Sequence, residues 1–215
     1  MTEARRSQAE RSATTREALL DGTIACLIEE GYASTTTSRV AERAGLSRGA
    51  HLHHFQTRTA LVAAAVEQLA RRWLGELRAA TEALPDGPGR TLGGLDLLWA
   101  HYASPLYQAA LDLWTDARND GDLRARLVEV ERLLDRETLE LARRLFPALA
   151  STRDFEGLVQ QAVATVRGLA MLDTLHPDGE RNRQQWTFCR ARLAEMFDTG
   201  GLRPPDPPLS VAERG

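Results

Sequence analysis

The chain has 215 residues, 43% of them hydrophobic and 27% charged, and a formal net charge of −3. It is long enough for one helical body with a small headpiece, and its mild acidity does not by itself mark a nucleic-acid binder; the distribution of charge has to decide. No apolar run approaches the roughly 20 residues of a membrane span, and the polar opening MTEARRSQAERS is not a secretory signal, so a cytoplasmic protein is expected.

Residues 1–13 are polar and aperiodic and are expected to form a flexible arm. Thr14-Thr15-Arg16-Glu17 has the spacing of a capping box, followed at helical intervals by Leu20, Ile24, Leu27 and Ile28. Gly31 is expected to end this helix, with Tyr32 packing back on it. Thr35 or Thr36 caps a short second helix whose inner face is Val40, Ala41 and Ala44. Gly45 suits a left-handed turn, Leu46 plugs the core and Ser47 caps a third helix. The stretch 35–58, TTTSRVAERAGLSRGAHLHHFQTR, therefore reads as a helix-turn-helix, the unit that lays one helix in the major groove of DNA.

Within 36–58 four arginines (Arg39, Arg43, Arg48, Arg58) stand against Glu42 alone, a net +3, with three histidines added. Such a basic face inside an acidic protein suits phosphate. On the third helix Gly49, Leu52 and His53 share a face with Arg48 at its edge, while Ala50, His51, His54 and Phe55 fall on the other side. Gly49 and Ala50 leave room for close approach to DNA, and Arg48 can fork onto guanine or phosphate. The histidines lack the acidic or thiolate companions of a metal site, so no metal is expected. Thr57 caps a further helix and Arg58 opens it, a natural phosphate clamp.

That helix carries Leu61, Val62, Ala65, Val66, Leu69, Trp73, Leu74 and Leu77 to about Leu84, where Pro85-Asp86-Gly87-Pro88-Gly89 breaks it. Leu92–Ala103 is a short helix; Pro105 starts another that ends at Asn119-Asp120-Gly121. Asp122–Leu145 is long and amphipathic, with Asp122/Arg126 and Glu140/Arg144 as i,i+4 pairs. In 155–175 the run VATVRGLAMLDTL is apolar on nearly every face, so it needs cover on both sides. A last helix holds Trp186, Cys189, Leu193 and Met196, and a Pro-rich tail follows. Buried free thiols are expected for Cys26 and Cys189, with a disulfide as the alternative.

Trp73, Trp99, Tyr102, Tyr107, Trp114 and Phe155, with the polar residues His101, Gln108, Asp112, Arg118, Gln161 and Thr165, read as the wall of an apolar pocket, against the plainer reading of ordinary core. No catalytic motif and no cofactor site is present in the pattern.

Gly31-Tyr32, the threonine cap, Val40-Ala41, Ala44-Gly45-Leu46-Ser47, Gly49, His54-Phe55 and Leu61 together resemble the N-terminal signature of the TetR family of bacterial transcriptional regulators, over about residues 15–62. The resemblance implies an all-α homodimer: a helix-turn-helix domain over 14–58, a helical ligand-binding and dimerisation domain over 59–202, and a tail over 203–215. It implies a double-stranded DNA operator and a small-molecule effector as partners, no cofactor, and a repressor released by its ligand. Carried across, the groove-facing positions are Arg48, Gly49, Ala50, Leu52 and His53; Thr35, Thr36, His54 and Arg58 fall where the family grips phosphate. The ligand positions are Trp73, Trp99, Tyr102, Tyr107, Trp114, Arg118, Gln161 and Thr165. Val166, Leu169, Leu172, Trp186 and Leu193 are assigned to the dimer seam. The chain departs from the family at His51, where an apolar residue is usual, and at Leu52, where tyrosine is usual. The alternatives are a helical ligand carrier or enzyme that kept the headpiece, and an activator or global binder without an effector.

Overall fold

The computed structural model describes residues 8–47, 53–87, 89–173 and 179–199. Among the described residues every regular element is helical: α1 (Gln8–Ser34), α2 (Thr37–Arg43), α3 (Arg58–Glu82), α4 (Arg90–Tyr102), α5 (Pro105–Ala117), α6 (Gly121–Leu145), α7 (Phe155–Asp173) and α8 (Glu180–Thr199). The expected all-α class holds, and no described helix is long and apolar enough to cross a membrane.

Most helix starts follow local chemistry. The hydroxyls of Thr36, Thr57 and Ser104 and the carboxylate of Asp120 each accept a backbone N–H from the first turn they cap, at 2.9–3.3 Å. Each such cap satisfies a donor that the helix itself cannot, worth about 1 kcal/mol. The first helix is the exception. It begins at Gln8, so residues 8–13 are helical rather than a loose arm. Thr14 sits inside the helix, its hydroxyl donating back to the Glu10 carbonyl at 2.9 Å instead of capping. Polar residues can continue a helix that an apolar stripe has nucleated, which is why periodicity placed the start too late.

Gly31 breaks the path of α1 with φ 74° and ψ 173°, a conformation that glycine adopts freely. Of the apolar stripe expected on α6, Leu123, Leu127, Val130 and Leu141 are buried, while Leu134 and Leu145 are half-buried. Its surface pairing differs: Glu140 faces Arg143 at 3.9 Å, not Arg144, and Arg143 also reaches Glu156 of α7 at 2.7 Å.

The interior falls into clusters that share helices. Leu19, Leu20, Cys26, Val40, Phe55, Leu61 and Ala65 close the headpiece. Leu27 of α1 and Val62 of α3 belong instead to a second cluster with Ala109, Leu113, Ala117, Leu123 and Leu127 from α5 and α6. A third joins α4 and α5 to α7 and α8 through Leu95, Tyr107, Phe155, Leu158, Val166, Trp186, Leu193 and Phe197. Hence α1 and α3 run from one core into the next.

The third cluster corrects the dimer seam. Val166, Trp186 and Leu193 are 0%, 6% and 3% exposed within the single chain, so they fill their own subunit's core. Leu169 is half-buried. Of the five positions assigned to the seam, Leu172 alone is exposed; Met171 of α7 and Phe188 of α8 are exposed as well. A helix apolar all round does not reveal by its period which face turns inward.

Candidate DNA-binding headpiece and internal cavity

The headpiece is built around the turn after α2. The Gly45 N–H bonds to the Glu42 carbonyl at 3.0 Å and the Leu46 N–H to the Ala41 carbonyl at 2.8 Å, with Gly45 at φ 68°. This is a Schellman closure: the glycine turns left-handed and the two bonds satisfy the last carbonyls of α2. Leu46 then packs on the headpiece core. Helix α2 lies close against α1 at Gly22, where a Cβ would come within 3.3 Å of the Val40 carbonyl oxygen. The turn thus closes a tightly seated α1–α2 pair.

Arg48, Gly49, Ala50, His51 and Leu52 lie outside the described residues. Just beyond them His53 is exposed, His54 half-buried and Phe55 buried at 6%, under the Arg16 guanidinium at 5.4 Å from its ring. Phe55 therefore falls on the inner side of the segment and His53 on the outer.

Two phosphate-gripping expectations need correction. Thr35 is fully buried, and its hydroxyl donates to the Gly31 carbonyl at 2.8 Å. It braces the kink and does not face solvent; Thr36, exposed, is the cap. Arg58 folds back over the ring of Tyr32, its guanidinium carbon 3.9 Å from the centroid, and bonds the Tyr32 carbonyl through Nη2. It is a strut between α3 and the end of α1. A helix N-terminus looks like a phosphate clamp in sequence, but an aromatic ring and a free carbonyl within reach compete for the same guanidinium.

The local charge is also smaller than a count over 36–58 implies. Arg39 is bound by Glu30 and Arg43 by Glu29, both from α1. The bond from Arg39 holds the Glu30 carboxyl below its usual range. Cys26, buried beneath these pairs, has its thiol pushed up by burial first and Glu30 second, and both cysteines are free thiols.

A second feature lies where α1 meets the body. A cavity of about 70 Å³ is lined by Ile24 and Leu27 of α1, by Trp73 of α3, by His101 and Tyr102 of α4, by α5, and by Val130, Leu134 and Arg167. Its aromatic wall is ordered. Trp73 and His101 stack with centroids 3.5 Å apart; Tyr102 meets Tyr107 edge-on at 4.8 Å, and Tyr107 meets Trp114 edge-on at 5.8 Å. Burial first, and then the Arg167 charge, drive the pKa of His101 down to about 3, so the imidazole is neutral at physiological pH. Burial pushes Tyr107 up to about 12 and raises Tyr102 as well, so both phenols keep their protons.

The structure brings four of the eight expected ligand positions to this cavity: Trp73, Tyr102, Tyr107 and Trp114. It leaves the other four elsewhere. Trp99 stacks on Trp186 at 5.2 Å, and that tryptophan donates to Asp96 at 3.3 Å. Gln161 is exposed, and Thr165 bonds its carbonyl at 2.8 Å. Arg118 lines an outer cleft shared with Trp114, Arg124, Glu131 and Arg167. Sequence reasoning missed Arg167 and the α1 wall. The signal for Arg167 was present: one charged residue in the middle of an otherwise apolar run.

A helix-turn-helix headpiece with a Schellman turn, joined through α1 to a helical body holding an aromatic cavity, defines a DNA-binding regulator of the helical class. The comparisons place it more closely. Residues 19–65 match the model described as bacterial regulatory proteins, tetR family. The HTH-type transcriptional regulator CymR of Pseudomonas putida is 30% identical over 185 residues, spanning 84% of this chain and 90% of that one. The HTH-type transcriptional repressor AcnR of Corynebacterium diphtheriae is 30% identical over 129 residues, 60% of this chain and 64% of that one. A TetR transcription regulator structure from Haloarcula marismortui superposes with a TM-score of 0.68 at 19% identity, covering 87% of this chain and 98% of that one. The chain belongs to the TetR family of bacterial transcriptional regulators.

Proposed function

We propose that the protein is a cytoplasmic homodimeric repressor, released from its operator by a small, mostly hydrophobic molecule that binds in the aromatic cavity. The observation that carries this is the double membership of α1. Its residues Leu19, Leu20 and Cys26 belong to the headpiece core, while Ile24 and Leu27 form part of the cavity wall. A guest that shifts the wall shifts the headpiece with it, provided that it binds the two positions unequally.

Repression is supported by the likeness to AcnR, which is named a repressor. A second copy is supported by the apolar surface left on α7 and α8: Met171 is 60% exposed, Leu172 41% and Phe188 66%. Gly157 and Gly168 of α7 have open space where a side chain would stand, so a partner helix can approach closely. Two headpieces would then read half-sites about 34–36 Å apart. The regulator acts by binding and not by catalysis. Arg48, Gly49, Ala50, Leu52 and His53 carry the groove contacts, and Thr36 and His54 flank the phosphate.

The test is binding to the DNA upstream of the protein's own gene, with and without aromatic and aliphatic candidates, while the emission of Trp73 and Trp114 is followed. The expected result is a dimer whose specific DNA complex dissociates as the emission changes. A strictly monomeric protein, or one indifferent to that DNA, would defeat the proposal.

A further inference from the structure

We propose that Arg167 is an anion anchor, and that the effector is an apolar molecule of aromatic size carrying a carboxylate. This rests on the ligand-responsive reading above and names the chemistry of its site.

Arg167 is the one charged side chain among the described residues that line the cavity; the rest are aliphatic, aromatic or small, with neutral His101. Its counter-charge is not in the cavity. Glu131 of α6 lies on the outer cleft and takes Nη2 at 3.1 and 3.4 Å. The Arg167 side chain thus borders both the apolar cavity and the outer cleft in which Glu131 holds its Nη2. Its plane is held from both sides: the Cζ atom is 5.3 Å from the ring of Tyr102 and 5.3 Å from that of Trp114. Nε donates to the Tyr102 hydroxyl at 3.3 Å. That hydroxyl accepts from arginine and keeps its own proton free to donate. Among the described residues Nη1 has no hydrogen-bond partner in the structure.

A cavity-lining guanidinium whose Nη1 is unpaired among the described residues, bonded through Nε to a phenol that keeps its own proton, is a donor set that a carboxylate completes. The Arg167–Glu131 pair is only partly buried, 23% and 26% exposed, and a pair of this kind adds little stability, so the charge on the cavity wall is better explained by binding than by folding. The approach carries the same sign. The outer cleft that shares Trp114 and Arg167 with the cavity also holds Arg118 and Arg124, neither of which makes a salt bridge among the described residues. The positive charge of this cleft draws an anion towards Arg167, and a cationic guest is refused by Arg167 in a low dielectric.

The experiment titrates the full-length protein with three probes of one shape: 2-naphthoate, 2-naphthamide and 2-naphthylmethylammonium, read by tryptophan emission and, in parallel, by release of operator DNA. The acid should bind at least about tenfold tighter than the amide, and the ammonium should not bind measurably. Arg167→Gln should bring the acid-to-amide ratio close to one with amide affinity nearly unchanged. Glu131→Gln, which removes the competing carboxylate, should strengthen acid binding. The double variant Arg167→Met/Glu131→Leu should keep its thermal midpoint and lose the preference, which separates anchoring from folding. Equal binding of acid and amide, no binding of the acid, or a preference that survives Arg167→Gln would overturn the anchor. Acid binding that leaves DNA affinity unchanged would keep the anchor and remove the effector role; DNA release by the amide without preference for the acid would do the reverse.

Discussion

The headpiece core and the cavity wall are adjoining regions built on the same two helices, yet they are packed to opposite ends. The first is closed by Leu19, Leu20, Val40, Phe55, Leu61 and Ala65, none more than 6% exposed. The second is ringed by Trp73, His101, Tyr102, Tyr107 and Trp114 around unfilled space, with one arginine set into its wall. Aliphatic side chains of matched size interdigitate and leave one arrangement. Large flat rings held edge to face keep one another apart and leave a room. The difference shows how a tightly packed headpiece can share a helix with a body that keeps open space: α1 is fixed at one part of its length and borders a void at the next.

The widest gap between the two regions should appear on truncation. Leu20→Ala, with Leu20 fully buried, should cost about 2–5 kcal/mol because no neighbour can collapse into the hole. Leu69→Ala already faces the void and should cost well under half of that. Comparable denaturation midpoints for the two variants would show that the cores do not differ in packing.

Acid should act on the body next. Folded protein keeps His101 neutral to about pH 3, against 6.5 for the ordinary imidazole. The unfolded chain takes up that proton first, so this contribution is complete above about pH 6.5 and is lost as the pH falls towards 3. The slope reaches about 1.4 kcal/mol per pH unit. His101→Phe should keep the stack on Trp73 and remove this part of the slope from urea melts at pH 4–7; an unchanged slope would place the titration elsewhere.

Arg58→Ala tests the join between the regions. Losing the ring contact and the bond to the Tyr32 carbonyl should cost about 1–2 kcal/mol. Since Arg58 is held on the ring and carbonyl of Tyr32, operator affinity should weaken with the salt slope unchanged. A slope reduced by about one would return Arg58 to the phosphate. The smallest effect belongs to filling the room. Ala110→Leu, on the cavity wall, should raise stability by about 1 kcal/mol while abolishing ligand-dependent DNA release in gel shifts.

The reading head was largely legible in the chain, because its signals are local. A threonine cap, a left-handed glycine and an apolar period each act within a few residues. The exceptions are Arg58, whose guanidinium meets the distant Tyr32 in a contact that only folding makes, and Thr35, whose hydroxyl turns back to the nearby Gly31 carbonyl at the kink instead of outward. In the body, the aromatic residues announced a pocket but not which of them share it. Trp73, Tyr102, Tyr107 and Trp114 converge, while Trp99 lies on a face of α4 that stacks on α8.

The sequence alone determined that the chain is helical, where most helices begin and end, and that a left-handed glycine turn closes the second helix, since backbone geometry and capping depend on neighbours along the chain. Tertiary structure alone decided which side of the all-apolar α7 turns inward, that Val166, Trp186 and Leu193 serve their own subunit, and that Arg167 stands in an aromatic room with its counter-charge outside. Those outcomes depend on which surfaces meet, and a period of 3.6 residues names a face without naming its neighbour.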